Sequence, residues 1–251
     1  MSPRTRWRLS PLELLVAYQH MGRDRLPFPL SFRGDAQTMQ EFAEMRRTAA
    51  QSVLAQFDDN LHRVLAVLAE PVAQVIACGL DDGQQLIRVR GGVDRTIGTV
   101  AEQFPGPDRE AGGDVLLSLC RREHLGSRIA DALPTAPPGA KRPPPVHRSD
   151  LAEDGGAVLR SAGYVSPRSE ALRFYRRPHT GTGEVTVADG TWIDGRVAGK
   201  GEMFRWIDFV DDGRYLVRGE DPITAVPGSP EALAQQIATM VDAAERSLTL
   251  G

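Results

Sequence analysis

Five histidines, two cysteines and three Asp-Asp pairs are the side chains of this 251-residue sequence whose spacing could support chemistry. His20, His62, His124, His147 and His179 form no HxH or HExxH pattern and no Cys/His pair at ligand spacing. A zinc site is therefore not expected, and neither is any other cofactor. His62 falls on the polar side of a short expected helix and His147 in a proline-rich stretch, without the neighbours that general acid–base work requires. Cys78 and Cys120 each sit inside an apolar stretch. That suits buried free thiols in a reducing compartment, with a 78–120 disulfide as the alternative. Of the acidic pairs at 58–59, 81–82 and 211–212, the last two run straight into a glycine, where Asp serves turn geometry. No nucleophile elbow or phosphate loop is present. The glycines at 181 and 183 precede a strand, whereas a dinucleotide site needs the strand first. Arginines at 121–122 and 173–177 could touch phosphate. In a chain of net charge −3, solvated faces are the better account, and nucleic-acid binding is disfavoured. The residues point away from an enzyme.

These residues must be carried by an ordinary globular framework, since 41% of the chain is apolar and 25% charged. It is long enough to bury a substantial core without disulfide staples. The basic start is followed by no apolar signal-peptide core, and no run approaches the roughly 18 residues of a membrane span. A soluble, cytoplasmic protein is the expectation. Ser10, Pro11 and Glu13 read as a capping box with a first-turn proline, opening a helix that ends near Gly22. Phe28, Leu30 and Phe32 alternate between Pro27 and Pro29, which predicts an edge strand. Asp35 is expected to cap a long helix whose stripe, Met39, Phe42, Met45, Ala49, Val53, Leu54 and Phe57, faces a core. A shorter helix follows from Leu61 to Leu68.

After Pro71 the period changes to two. Strands are expected over 72–80, 85–90, 93–100 and 115–120, with turns at Asp81-Asp82-Gly83 and at Gly91-Gly92, and a short helix over 127–133. Residues 134–148 are rich in proline and basic, and read as an extended, mobile linker, with a polyproline docking ligand as the lesser alternative. Beyond it come helices at 157–163 and 166–178, strands at 184–187, 191–197, 202–209 and 214–218, and a final helix capped by Ser229, Pro230 and Glu231. Leu233, Ile237, Met240, Val241 and Ala244 share one face of that helix. Both halves thus run helices, then a meander, then a helix, as in an internal duplication. The fold class is α+β: two pseudo-repeated halves, with an antiparallel central sheet flanked by helical bundles. The halves are 1–133 and 149–251, joined by 134–148 in one compact domain.

Residues 206–217, from Trp206 and Asp208 through Gly213-Arg214-Tyr215 to Leu216 and Val217, carry a sharper signal. They resemble the closing hairpin of the EspG family, a W-x-D-T-x-x-GRY-L pattern, followed here by a proline-capped helix from Pro230. Phe209 stands where the family has Thr, and one residue is added before the glycine. The order of elements in the N-terminal half agrees, so the resemblance spans nearly the whole chain. On the residues alone, the Asp211-Asp212-Gly213 turn places Gly213 in the left-handed region, and Trp206 and Tyr215 pair across strands.

The resemblance implies a cytosolic chaperone of actinobacterial type VII (ESX) secretion. Such a protein holds the exposed tip of the PPE subunit in a PE–PPE heterodimer, and the expected state is a monomer or weak dimer. It also implies candidate contacts at Leu80, Asp81, Asp82 and Gly83, at Glu202, Phe204, Trp206 and Phe209 on the later strand, and at Met240 on the last helix. The turn at 80–83 is shorter than the family's extended loop. Two other readings stay open: an enzyme of a duplicated α+β fold, and a permanent scaffolding component.

Overall fold

The chain's computed structural model describes residues 4–109, 111–151, 167–190 and 201–250. The expected helix at 157–163 and strand at 191–197 lie outside these residues. The elements run β1 (Arg6–Leu9), α1 (Pro11–His20), α2 (Met39–Gln56), α3 (Asp59–Ala69), β2 (Ala73–Leu80), β3 (Leu86–Val93), β4 (Ile97–Pro105), β5 (Gly112–Arg121) and α4 (Leu125–Asp131). The second half continues with α5 (Arg148–Leu151), α6 (Pro167–Tyr175), β6 (His179–Asp189), β7 (Glu202–Phe209), β8 (Gly213–Arg218), β9 (Thr224–Pro227) and α7 (Pro230–Leu250). The nine strands form one antiparallel sheet in the order β1-β5-β4-β3-β2-β6-β7-β8-β9. The meander β2 to β5 and the meander β6 to β9 therefore fan out in opposite directions from the β2–β6 pair, which gives the α+β, pseudo-repeated architecture.

Strand alternation distributes the core over two faces. On one, Val75, Ala77, Val89, Val185, Phe204 and Trp206 meet Leu125 and Ile129 of α4 and Leu233, Ile237 and Met240 of α7. On the other, the helices divide. Helices α1 and α3 pack over β1, β4 and β5 through Leu14, Tyr18, Leu61 and Leu65. At the far end Phe174 of α6 packs with Phe209, Tyr215 and Ala225. The middle of that second face is left without a helix among the described residues.

Local chemistry sets the boundaries. In α1 the Ser10 hydroxyl accepts from the Glu13 amide, and the Glu13 carboxylate accepts from the Ser10 amide, the reciprocal capping box. Its buried residues are Leu12, Leu14, Ala17 and Tyr18. The cap of α2 is Thr38, not Asp35, and its hydroxyl accepts from the Glu41 amide. The expected core stripe of α2 is also only partly internal. Ala49 and Val53 are buried, whereas Met39 is 83% and Leu54 72% exposed. Helical spacing shows which residues share a face, but not whether anything covers it.

Three further expectations are corrected. Residues 28–32 form no strand; the side chain of Gln103 takes the place of a strand partner, accepting from Ser31 N at 2.8 Å and donating to Ser31 O at 2.7 Å. Gly91-Gly92 is no turn but the interior of β3, where a Cβ on Gly91 would lie 2.8 Å from Ile129 Cδ1. The turn falls instead at Asp94, whose carboxylate accepts from the amides of Thr96 and Ile97. Trp206 and Tyr215 do not face each other: Trp206 is opposite Leu216 and Ile207 opposite Tyr215, so the two rings serve different faces.

Residues 134–148 are extended, as expected, but laid down on the second half. Arg214 N donates to Pro137 O and Gly139 N to Arg214 O, while Val146 pairs with Ile223 and is 1% exposed. Lys141 N donates to the Tyr215 hydroxyl at 2.7 Å, and Ala140 N to Asp212 Oδ1 at 2.8 Å. Beneath this strap, buried Arg214 makes a two-pronged pair with buried Asp208 at 2.7 Å on both prongs, and its Nη2 also donates to Pro134 O. Asp208→Ala leaves a buried cation unpaired and is expected to cost about 3–5 kcal/mol of stability. In urea unfolding, adding Arg214→Leu should recover much of that loss. No change in midpoint for Asp208→Ala would contradict this account of the strap.

Candidate functional site

The uncovered middle of the sheet is a groove of about 820 Å³, within the range of ligand clefts. Its floor comes from alternate residues of three strands: Cys78 and Leu80 on β2, Leu86 and Arg88 on β3, and Thr182 and Glu184 on β6, with Arg205 of β7 beside them. One wall is the segment Phe28, Pro29, Leu30 and Ser31, with Phe28 54% exposed. The wall is fixed by Gln103 at Ser31 and by Arg90 Nη1, which reaches Phe28 O at 3.5 Å. The rim is tied by Arg109, which donates to Gln84 O and receives Arg88 Nη2 on its own carbonyl at 2.5 Å. These bonds join the β2–β3 turn to the β4–β5 loop.

The groove's lining is mostly apolar and carries an excess of basic side chains. Among the lining residues are Arg88, Arg109 and Arg205 against one carboxylate, Glu184. Burial alone lowers the pKa of Arg88, and it lowers that of Arg90 behind it to about 10; both remain cations at neutral pH. The Cys78 thiol is raised to about 11, first by burial and then by the charge of Glu184. A thiol so placed is protonated at pH 7 and is a poor nucleophile. Both cysteines are free, and their positions on β2 and β5 place two strands between them.

The structure separates the nine expected contact residues into two sets. Leu80, Asp81, Asp82 and Gly83 are at the hairpin end beside the groove, and of these Leu80 lines it. Glu202 is exposed on β7. Phe204, Trp206, Phe209 and Met240 are each 3% exposed or less and belong to the core. Phe204 and Trp206 point under α4 and α7, because strand alternation turns their side chains away from the groove. On the groove side of that strand the exposed side chains are Met203, 48% exposed, and Arg205. Trp206 crosses close to Gly183 and lies 2.8 Å from where a Cβ on Gly79 would be, so both glycines leave room for the indole. Residues 28–31, Arg88 and Arg205 escaped the sequence reading, because their adjacency is created only by long-range pairing. The one legible trace was the apolar–basic alternation of 86–90.

A family model described as the EspG family matches residues 10–239. The chain belongs to the EspG family. Among solved structures, this EspG-family chain is similar to the Mycobacterium tuberculosis type VII secretion system chaperone EspG5, in a structure with the PE25–PPE41 dimer. The two share 14% identity with a TM-score of 0.53, over 94% of this chain and 95% of that one, a likeness of fold. A comparison with curated proteins gives no match.

The placement of Cys78 makes a pH prediction. With the pKa near 11, thiolate rises about tenfold per unit below that value, so alkylation of Cys78 in a Cys120→Ser variant should accelerate about tenfold per unit from pH 7 to 10. A rate that levels off near pH 8.5 would place the thiol in water instead.

Proposed function

We propose that this protein is a cytoplasmic chaperone of type VII secretion that holds the apolar tip of a PE–PPE-type heterodimer in the groove between residues 28–31 and strands β2, β3, β6 and β7. The observation that carries the reading is the uncovered sheet face: Leu80, Leu86 and Phe28 offer apolar contact, and arginines rim it. Family membership and the fold shared with a chaperone described in complex with PE25–PPE41 support the same assignment. An apolar centre within a polar rim is the anatomy of a reversible protein interface. Binding is favoured over catalysis because burial keeps the groove's thiol protonated and no histidine is among its described lining residues. None of the described helices is long and apolar enough to cross a membrane. We further propose that residues 1–133 and 149–251 are two copies of one unit within a single compact domain, with 134–148 as their connection. The mirrored strand order about β2 and β6 supports this.

The test is co-elution of the purified chain with PE–PPE dimers encoded in the same genome. A complex is expected, and Leu80→Asp or Leu86→Asp should weaken it more than about tenfold by placing a charge in an apolar contact. Both residues are at least partly exposed, so unfolding midpoints should hold. Failure to bind any such dimer would overturn the reading.

A further inference from the structure

Among the described residues the buried arginines are Arg88, Arg90 and Arg214. Arg214 has the carboxylate of Asp208, and the half-buried Arg177 and Arg122 have Asp212 and Glu245 with Asp242. The two at the groove differ. Arg88 and Arg90 stand two apart on one face of β3 and are 7% and 3% exposed. Arg88 donates to the Arg109 carbonyl; Arg90 donates to the side-chain oxygen of Gln74 and to the Phe28 carbonyl. Among the described residues, neither has a carboxylate within ion-pair distance. Burying a guanidinium against neutral acceptors alone is costly, and Arg90 Nε is buried without any acceptor.

We propose that the client segment seated in the groove carries a carboxylate, received by Arg88 of the floor and Arg205 of the rim; this rests on the groove being the client site. Arg88 and Arg205 both line the groove, and Arg205 lies across the β6–β7 ladder from the single lining carboxylate, Glu184. The positive charge is thus in excess where the client enters. A guanidinium already stripped of water and held by a backbone carbonyl forms a stronger, more directional pair with a carboxylate than a solvated one does. The apolar floor at Leu80 and Leu86 requires the acid to be presented on an apolar segment, since a free anion would leave that floor wet. Hydrophobic burial then supplies affinity, and the acid fixes which tip is accepted and in what register.

The test uses the PE–PPE dimer that co-elutes with the chain, with each Asp and Glu of its PPE-like tip changed in turn to Asn or Gln. Affinity of the wild-type pair should fall between about 0.1 and 1 M salt. Arg205→Gln and Arg88→Gln should each weaken binding by about five- to tenfold and flatten that salt dependence. One tip substitution should produce the same loss, and combining it with Arg205→Gln should add little further. Arg205 is exposed, so its variant carries the test if Arg88→Gln fails to fold. If binding ignores salt and both arginines while Leu80→Asp still abolishes it, the carboxylate is wrong and the groove stands. If Leu80→Asp has no effect, the groove assignment falls and this inference with it. Shielding of Cys78 by inorganic phosphate alone, or a self-dimer lost in Leu80→Asp, would replace the client carboxylate with a small anion or a second copy.

Discussion

Pairing between β2 and β6 joins the two meanders, and much of the molecule's form follows from it. The ladder runs without a bulge from Ala73 opposite Asp189 to Leu80 opposite Thr182. Because the two strands are the first of their meanders, each half extends away from the seam and brings its helices with it. Helices α4 and α7 meet above the seam and close that face with Leu125, Ile129, Leu233 and Ile237. On the opposite face α1 and α3 stay with the first half and α6 with the second. A gap over the seam is the geometric result, and the groove occupies it.

The seam also constrains side-chain size. Gly79 on β2 and Gly183 on β6, opposite each other in the ladder, leave room for the Trp206 indole. Trp206 and Gly213-Arg214-Tyr215 are among the most recognisable residues of the chain, yet they work inside it. Arg214 with Asp208, and Asp212 with Arg177 and Tyr215, hold the 134–141 strap and the α6 contact in place. Arg177 further stacks over Phe209, 3.9 Å from the ring centroid, a cation–π contact that gains strength from burial. The residues that carry the sequence resemblance are thus the ones that fasten the second half together, while the groove is built from other positions.

What the sequence revealed follows the range of the forces involved. Ser10 with Glu13 acts within one helical turn, and that cap was legible. Strand positions in both meanders followed from alternation, and β7 spans the expected 202–209. Where tertiary contact decides, the local pattern misled. Phe28, Leu30 and Phe32 alternate like a strand, but a side chain from β4 takes the place of a ladder. Gly91 and Gly92 look like a turn, but are small because α3 and α4 press on β3. For Phe204 and Trp206, being apolar on the right strand was not enough; the parity of the register sends them away from the groove. Of the groove's lining, Leu80 was named from the sequence and Arg88 was not, since nothing local says that a buried arginine lacks an acid.

The central claim is that the uncovered seam is where a client sits, and Cys78 reports on it from the groove floor. The most direct measurement is the alkylation rate of Cys78 in a Cys120→Ser variant, with and without a saturating PE–PPE dimer. The account predicts that the dimer slows alkylation more than about tenfold, as expected when an interface excludes water from a residue at its centre. An unchanged rate in a chain shown to be fully bound would place the client elsewhere and contradict the assignment.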